Sequence, residues 1–593
     1  MRRRKGRATR PKAAGTSVSG AAEGTPRPPP AVWTALPYVI FAALYALTFK
    51  TWLLPFQDSG REIGVATRLA LGETLYRDVA YWFGPLPPLA DAAVLRLSGF
   101  RLDALLAVRL VFALLGVEVL RRLARRLFDS PTCAAWGVSA VVALCLFERN
   151  GGSWAFPYCA PSLEGFVLGL WALEAALGSR GWRGSLAAAA LAALAAGTKL
   201  EYAPLSLLAL AVALGARRPR REALLATAAA AAGGALFWLV PLARQGSDLL
   251  RTQGFLLALD VPAPWKRLYQ GIAWGYFSLK GNLLTQILQS YLPGVLVVLA
   301  ALVLVRLFGG ASRVVAILVL ALGGVAGWLP ANLGIHAFIP ASAVLVAAQG
   351  TQLIRKRRGE ALEERTIALF ALGAAMLPLF VRQPFFLLRL TPYSAFSGPI
   401  PLLISFSFVS RLLDARRSSA MLLAGLAFGA ALSAERDWAA DDRVWVRFPR
   451  GSLRLPAAEG RLIEALVDRL RRDTSEGGFV AGFPEPGVVL FFADRRNPFP
   501  WEQFNPGDQG AVAERVMIRD LEKRRPEAAF VVNRPMMEFG ESYFGGGYLE
   551  EFRKALLHEM SLAEVFRPPP GLRTPSVRGD GALYFRPREL QPR

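Results

Sequence analysis

The chain has 593 residues, of which 53% are hydrophobic and 19% charged, with a formal net charge of +24. That apolar share, with a mean hydropathy of +0.34, is too high for an ordinary soluble protein and fits a polytopic membrane protein. A basic excess points to nucleic acid in a soluble protein, but here the arginines stand in short clusters between apolar runs, a pattern of membrane topology, so no nucleic acid partner is expected.

Residues 1–30 open with MRRRKGRATRPK and continue Gly/Ala/Pro-rich, reading as a basic, disordered cytoplasmic tail. The apolar run that follows is too long for a signal-peptide core and has no clear cleavage site, so it reads as an uncleaved anchor. A span needs roughly 17 to 25 apolar residues. Runs at 32–54, 102–120, 132–147, 161–178, 185–198, 201–215, 223–242, 287–306, 314–331, 335–353, 366–381, 396–412 and 419–434 are the candidates. Basic clusters recur at alternate turns: Arg121, Arg122, Arg125 and Arg126; Arg180 and Arg183; Arg217 to Arg221; Arg306 and Arg313; Arg355 to Arg358; Arg416 and Arg417. The positive-inside rule puts these in the cytoplasm and the loops 56–101, 148–160, 243–286, 332–334 and 382–395 outside. The run 185–214 decides the parity. As one helix it carries Lys199 and Glu201 at its centre and sends Arg217–Arg221 outside. Two short spans meeting near Gly197-Thr198-Lys199 keep the rule. The expected fold is therefore an α-helical polytopic membrane protein of about 13 transmembrane helices over 31–434.

From about residue 435 the composition turns mixed and polar. Ala457–Arg472 is expected as an amphipathic helix with Leu462, Ile463, Leu466, Val467 and Leu470 on one face. Strands are expected at Phe479–Gly482, Ala528–Val532 and Ala582–Phe585, and helices at Val512–Lys523 and Leu549–His558. The alternation implies a soluble extracytoplasmic α/β domain over 435–593 that carries no catalytic base.

The stretch Phe56–Pro88, FQDSGREIGVATRLALGETLYRDVAYWFGPLPP, carries four acids beside an apolar span, of which Asp58, Glu62 and Asp78 stand out. Acids so placed are costly and are usually kept for chemistry or ion handling. Asp58 and Glu62 share one face if the segment is helical. An acid just after the first span, then G-x-x-x-Y-x-D, then G-P-L-x-P, resembles the first outer loop of the GT-C glycosyltransferases, in particular bacterial protein-mannosyltransferase-like and aminoarabinose-transferase-like enzymes. The segments GFVAGFPEP and LFFADRRNP resemble the soluble tail of bacterial GT-C relatives. The resemblance implies an inner-membrane enzyme that moves a sugar from a polyprenyl-phosphate donor to a lipid, glycan or protein acceptor at the extracytoplasmic face, inverting the anomeric centre. The alternative is a transporter or flippase of lipid-linked glycans.

The resemblance makes Asp58 the base or a metal-holding acid, with Glu62 assisting. Against this, Asp58 can serve as a helix cap, and Glu62 can pair with Arg61 or Arg68. Asp78 reads equally as a substrate contact or as a partner of Arg77 in a turn. Glu164 matches a second acid of the relatives, or an acid favoured by a helix N-terminus. Lys199 matches a carrier-phosphate lysine, or one snorkelling outward beside Glu201. His336 is a substrate-binding candidate or a hydrogen-bonded structural group, and Arg389 and Tyr393 can bind the leaving phosphate or form a rim. Trp82, Trp154, Trp265 and Trp274 read as sugar-stacking rings or as an interfacial belt. Three cysteines, Cys133, Cys145 and Cys159, and two histidines, His336 and His558, give neither a disulfide framework nor a multi-histidine site. No cofactor is implied; a divalent metal stays open, since the acids define no metal site. Reporter fusions after Arg126, Arg221 and Arg358 should report cytoplasm, and fusions after Asp78 and Glu476 the outside; a cytoplasmic signal at Glu476 would show a miscounted span.

Overall fold

The computed structural model describes residues 31–147, 153–178, 181–246, 263–265, 346, 363–382, 396, 398–412, 442–507, 513–536, 539–541, 543–567 and 581–587. The tail 1–30 and the expected spans at 287–306, 314–331 and 419–434 lie outside them, as does 335–353 apart from Val346.

Among the described residues nine helices run from residue 31 to 245: α1 (Ala31–Leu47), α2 (Asp58–Ala70), α3 (Leu86–Ser98), α4 (Leu102–Leu127), α5 (Pro131–Cys145), α6 (Ala160–Gly178), α7 (Trp182–Thr198), α8 (Tyr202–Arg217) and α9 (Arg220–Gln245). Two more described helices follow, α10 (Glu364–Arg382) and α11 (Pro399–Leu412). Among the described residues α6 and α9 are long and apolar enough to cross a membrane, and Ala31–Leu47, Pro131–Cys145, Tyr202–Arg217 and Pro399–Phe408 are shorter apolar helices. The segment 185–214 is divided: α7 stops at Thr198, Lys199 is extended, and α8 starts at Tyr202. The first apolar run is helical only to Leu47, and Lys50 turns the chain with a φ of 61°.

The loop expected over 56–101 holds two helices. Pro87 and Pro88 fall in the first turn of α3, where no intrahelical N–H is needed, so the Gly84–Pro88 exit starts a helix. Gly99, at φ 66°, closes α3 in the left-handed conformation that glycine takes without strain.

The helix ends sort by charge. At one end Arg125 reaches Thr34 at the start of α1, Arg126 pairs with Glu174 at 2.8 Å and with Glu364, and Arg217 also approaches Glu364. The opposite end gathers the C-terminus of α7 and the N-termini of α6 and α8. There Lys199 on the α7–α8 turn donates to Ser162 of α6 at 3.1 Å.

The C-terminal residues form a hairpin, β1 (Arg443–Phe448) and β2 (Gly451–Pro456), then α12 (Ala457–Asp473), β3 (Val480–Phe483), α13 (Gly487–Ala493), α14 (Ala513–Arg524), β4 (Ala528–Val532), α15 (Glu550–Glu559), β5 (Ser561–Phe566) and β6 (Gly581–Phe585). The four-stranded sheet has the order β3-β4-β6-β5, with β3 and β4 parallel and the other pairs antiparallel. The expected apolar face of α12, Leu462 to Leu470, is buried. The hairpin, α13 and β5 were not anticipated. The run GVVLFFA is continuously apolar and short, so periodicity does not mark it as helix; β5 is mostly exposed and lacks an alternating pattern.

This region docks on the Lys199 end of the helices. Leu102 donates to the Arg450 carbonyl at 2.8 Å, and Arg454 to that of Lys50 at 3.0 Å. The Lys50 ammonium joins Asp103 at 2.6 Å and Ser452 at 2.8 Å. α13 packs on α2, and Gly487 sits so close to Gly60 that a methyl there would overlap the Gly60 carbonyl. Gly487→Ala should therefore cost about 1 to 3 kcal/mol by overpacking and expose the junction to protease. Gly215→Ala, in open space, should leave thermal unfolding unchanged.

Candidate functional site

The site is built on the first turn of α2. The N-cap of α2 is Gln57, with no side-chain cap bond, so the Asp58 carboxylate is not spent on capping. Asp58 Oδ1 accepts from Arg61 Nη1 at 2.9 Å and from Gln503 Nε2 at 2.8 Å. Among the described residues nothing hydrogen bonds to Oδ2, and the side chain is 37% exposed. The carboxylate is thus fixed through one oxygen and open at the other.

Arg61 is the hub. It also donates to Gln503 Oε1 at 2.7 Å and, through Nη2, to Glu62 Oε1 at 2.8 Å. Glu62 is buried and takes a further bond from the Tyr81 hydroxyl at 2.7 Å. Glu62 is therefore an anchor of Arg61. The Phe83 ring lies 5.0 Å from both the Arg61 guanidinium and the Lys199 ammonium. The corner is stitched to α7, because Gly84 donates to the Thr198 carbonyl at 2.9 Å and abuts the Gly197 carbonyl.

Lys199 is buried and pairs with Glu201 at 2.7 Å. It does not extend to the surface. Glu164, on α6, is buried and pairs with Arg109, which also pairs with Asp91. This ionic layer joins α3, α4 and α6. Asp78 stands apart. It accepts from the Thr74 amide at 2.8 Å and pairs with exposed Arg77 at 2.7 Å. The Arg77 bond holds its carboxyl down to about 2. His336, Arg389 and Tyr393 lie outside the described residues. Trp154 is fully buried against Phe166 and beneath Gly116, a core ring and not an interfacial or exposed one.

Three groups come from the C-terminal region, which sequence reasoning left out of the site. Gln503 bridges Asp58 and Arg61. Glu502 is buried against Arg68 at 3.1 Å, and Arg68 also holds Glu73 at 2.6 Å. Glu485, in the turn before α13, accepts from Arg534 at 2.7 Å, and burial pushes it up to about 8. One signal was readable: Glu485 is the only charged residue in GGFVAGFPEPGVVLFFA. Among the described residues no group of three or more His, Cys, Asp or Glu side chains is placed to hold a metal ion. A separate cavity of about 380 Å³ is lined by Asn533, Tyr543, Arg553, Arg567 and Tyr584 among others, with no carboxylate and no member of the Asp58 network among the described lining residues.

No protein-family profile and no curated protein matches the chain. Among solved structures, the crystal structure of the oligosaccharyltransferase of Archaeoglobus fulgidus, in complex with zinc and sulfate, is similar at 15% identity and a TM-score of 0.48, covering 92% of this chain and 73% of that one. At that TM-score the likeness assigns this chain neither a family nor an activity.

The buried and exposed pairs should part on mutation. Arg109→Met strands two buried carboxylates and should cost about 3 to 5 kcal/mol, read as a lowered unfolding temperature in detergent. Arg77→Met, at the surface, should leave the unfolding curve in place.

Proposed function

We propose that the chain is an integral-membrane glycosyltransferase that moves a sugar from a polyprenyl-phosphate-linked donor to a lipid, glycan or protein acceptor at the extracytoplasmic face. The observation that carries this reading is the Asp58 carboxylate, held through Oδ1 by Arg61 and Gln503 and open at Oδ2, with Arg61 and buried Lys199 both resting on the Phe83 ring at one end of an apolar helix bundle. The order of motifs in Phe56–Pro88 supports it as a resemblance.

In this reading Asp58 Oδ2 takes the proton of the acceptor hydroxyl, a contribution of roughly 10² to 10⁴ in rate. The hydroxyl oxygen attacks the anomeric carbon as its bond to the carrier phosphate breaks, through an oxocarbenium-like state, and attack from the far face inverts the centre. Lys199 offsets the charge gained by the departing phosphate, and a low-dielectric surrounding strengthens that attraction. Glu62 and Tyr81 hold Arg61, and Arg61 holds Asp58. The ionisable groups of the site, Asp58, Arg61, Glu62 and Lys199, gather at one bundle end, whereas transporters commonly place theirs at the bilayer midplane, so the enzyme is favoured over a flippase.

Asp58→Asn tests the reading. Asn retains an oxygen for Arg61 and Gln503, so membrane yield and thermal stability should stay near wild type. Transfer should fall at least about a hundredfold, measured as loss of sugar from the polyprenyl-phosphate lipid. An active Asp58→Asn protein would remove Asp58 as the base.

A further inference from the structure

Glu485 is a buried carboxyl that the chemistry above does not use. It stands two residues before Gly487, whose backbone rests against Gly60 of α2, so the docking of α13 fixes it next to the Asp58 turn. It is 1% exposed. Its Oε1 accepts from Arg534, which also donates to Asn505 at 3.0 Å. Its Oε2 is buried and makes no hydrogen bond among the described residues, a condition that folded proteins rarely keep without a use. Gln503 is among the groups that hold the Glu485 pKa down, and its amide nitrogen donates to Asp58 Oδ1 at 2.8 Å.

We propose that Glu485 is a positioning residue for Asp58, inserted by the C-terminal region so that its carboxyl backs the Gln503 amide that holds Asp58 Oδ1 in place. The inference rests on the reading of Asp58 as the base. The charges facing Glu485 are Arg534 after β4 and Asp58 and Arg61 on α2. Burial acts first and pushes its pKa to about 8, the Asp58 charge adds to this, and Arg534, Gln503 and Arg61 oppose it. A carboxyl raised in this way is neutral below that value and ionised above it. While neutral, it leaves Gln503 and Arg61 to Asp58. Ionised, it competes for both and adds a negative charge facing Asp58.

Activity should therefore fall as the pH rises through about 8. The test uses membranes of a deletion strain that re-expresses the full chain, with its own glycolipid pool labelled by growth on ¹⁴C-glucose. Label leaving the polyprenyl-phosphate lipid is followed from pH 6 to 10. Wild-type transfer should drop about tenfold per pH unit on the alkaline side. Glu485→Gln, neutral at every pH, should transfer within about threefold of wild type at pH 7 and lose the alkaline fall. Glu485→Ala, which leaves a gap behind the Gln503 amide, should lose roughly tenfold at every pH through misplacement of Asp58. An alkaline fall in Glu485→Gln identical to that of wild type would overturn the inference. If Glu485→Gln does not accumulate, Arg534→Gln decides. Loss of the main opposing cation should move the fall to higher pH, and an unmoved fall would overturn the inference. An active Asp58→Asn protein would sink the base reading itself. An inactive Asp58→Asn protein with identical wild-type and Glu485→Gln profiles would sink the Glu485 inference alone.

Discussion

Carboxylates set inside an apolar bundle need a cation within hydrogen-bond reach, and Arg61 meets that demand for α2. Its planar fork reaches Asp58, Glu62 and Gln503 together, which a point-charge ammonium would not do with the same directionality. The arrangement is costly to assemble, because removing charges from water offsets much of the attraction gained. It yields a fixed geometry more than it yields stability. Arg109 does the same one layer away, closing Asp91 and Glu164 into one ionic contact between three helices.

The C-terminal region belongs to this constraint. Gln503 and Glu502 meet the two arginines of α2, Arg61 and Arg68, and the Ala80 amide donates to the Pro500 carbonyl at 2.9 Å. The loop 495–505 thus covers α2 with polar contacts while α13 covers it with apolar ones. The helix is amphipathic yet buried along nearly its whole length, which is the expected result of a polar element wedged between a helical bundle and a sheet-bearing region.

Legibility in the sequence followed the length of the patterns. Among the described residues most of the long apolar runs gave helices within a few residues of their expected limits, although the first stops at Leu47 and α4 runs on to Leu127, and charge alternation divided 185–214 where the chain does break, at Lys199. The helix α12 was readable because five apolar residues repeat on one face. α3 was hidden by its prolines, which mark a loop unless they fall in a first turn. Asp58, Glu62, Glu164 and Lys199 were all singled out, and they converge on one end of the bundle. Their partners Arg109 and Gln503 were not, because contacts across 55 and 445 residues of chain leave no local spacing. Asp78 shows the converse: a conspicuous motif position whose visible work is to close a turn.

Phe83 ties two of these features together. Both the Arg61 and the Lys199 cations rest against its ring, and the next residue is sewn to the last turn of α7. The two positive charges therefore share one mechanical reference. A shift of the 81–84 corner displaces the group that aims the carboxylate and the group that faces the α6–α8 crevice by a common step, so the distance between them is conserved while their position in the bundle changes. The aromatic corner works as a gauge block, setting a separation between two like charges that electrostatics alone would widen.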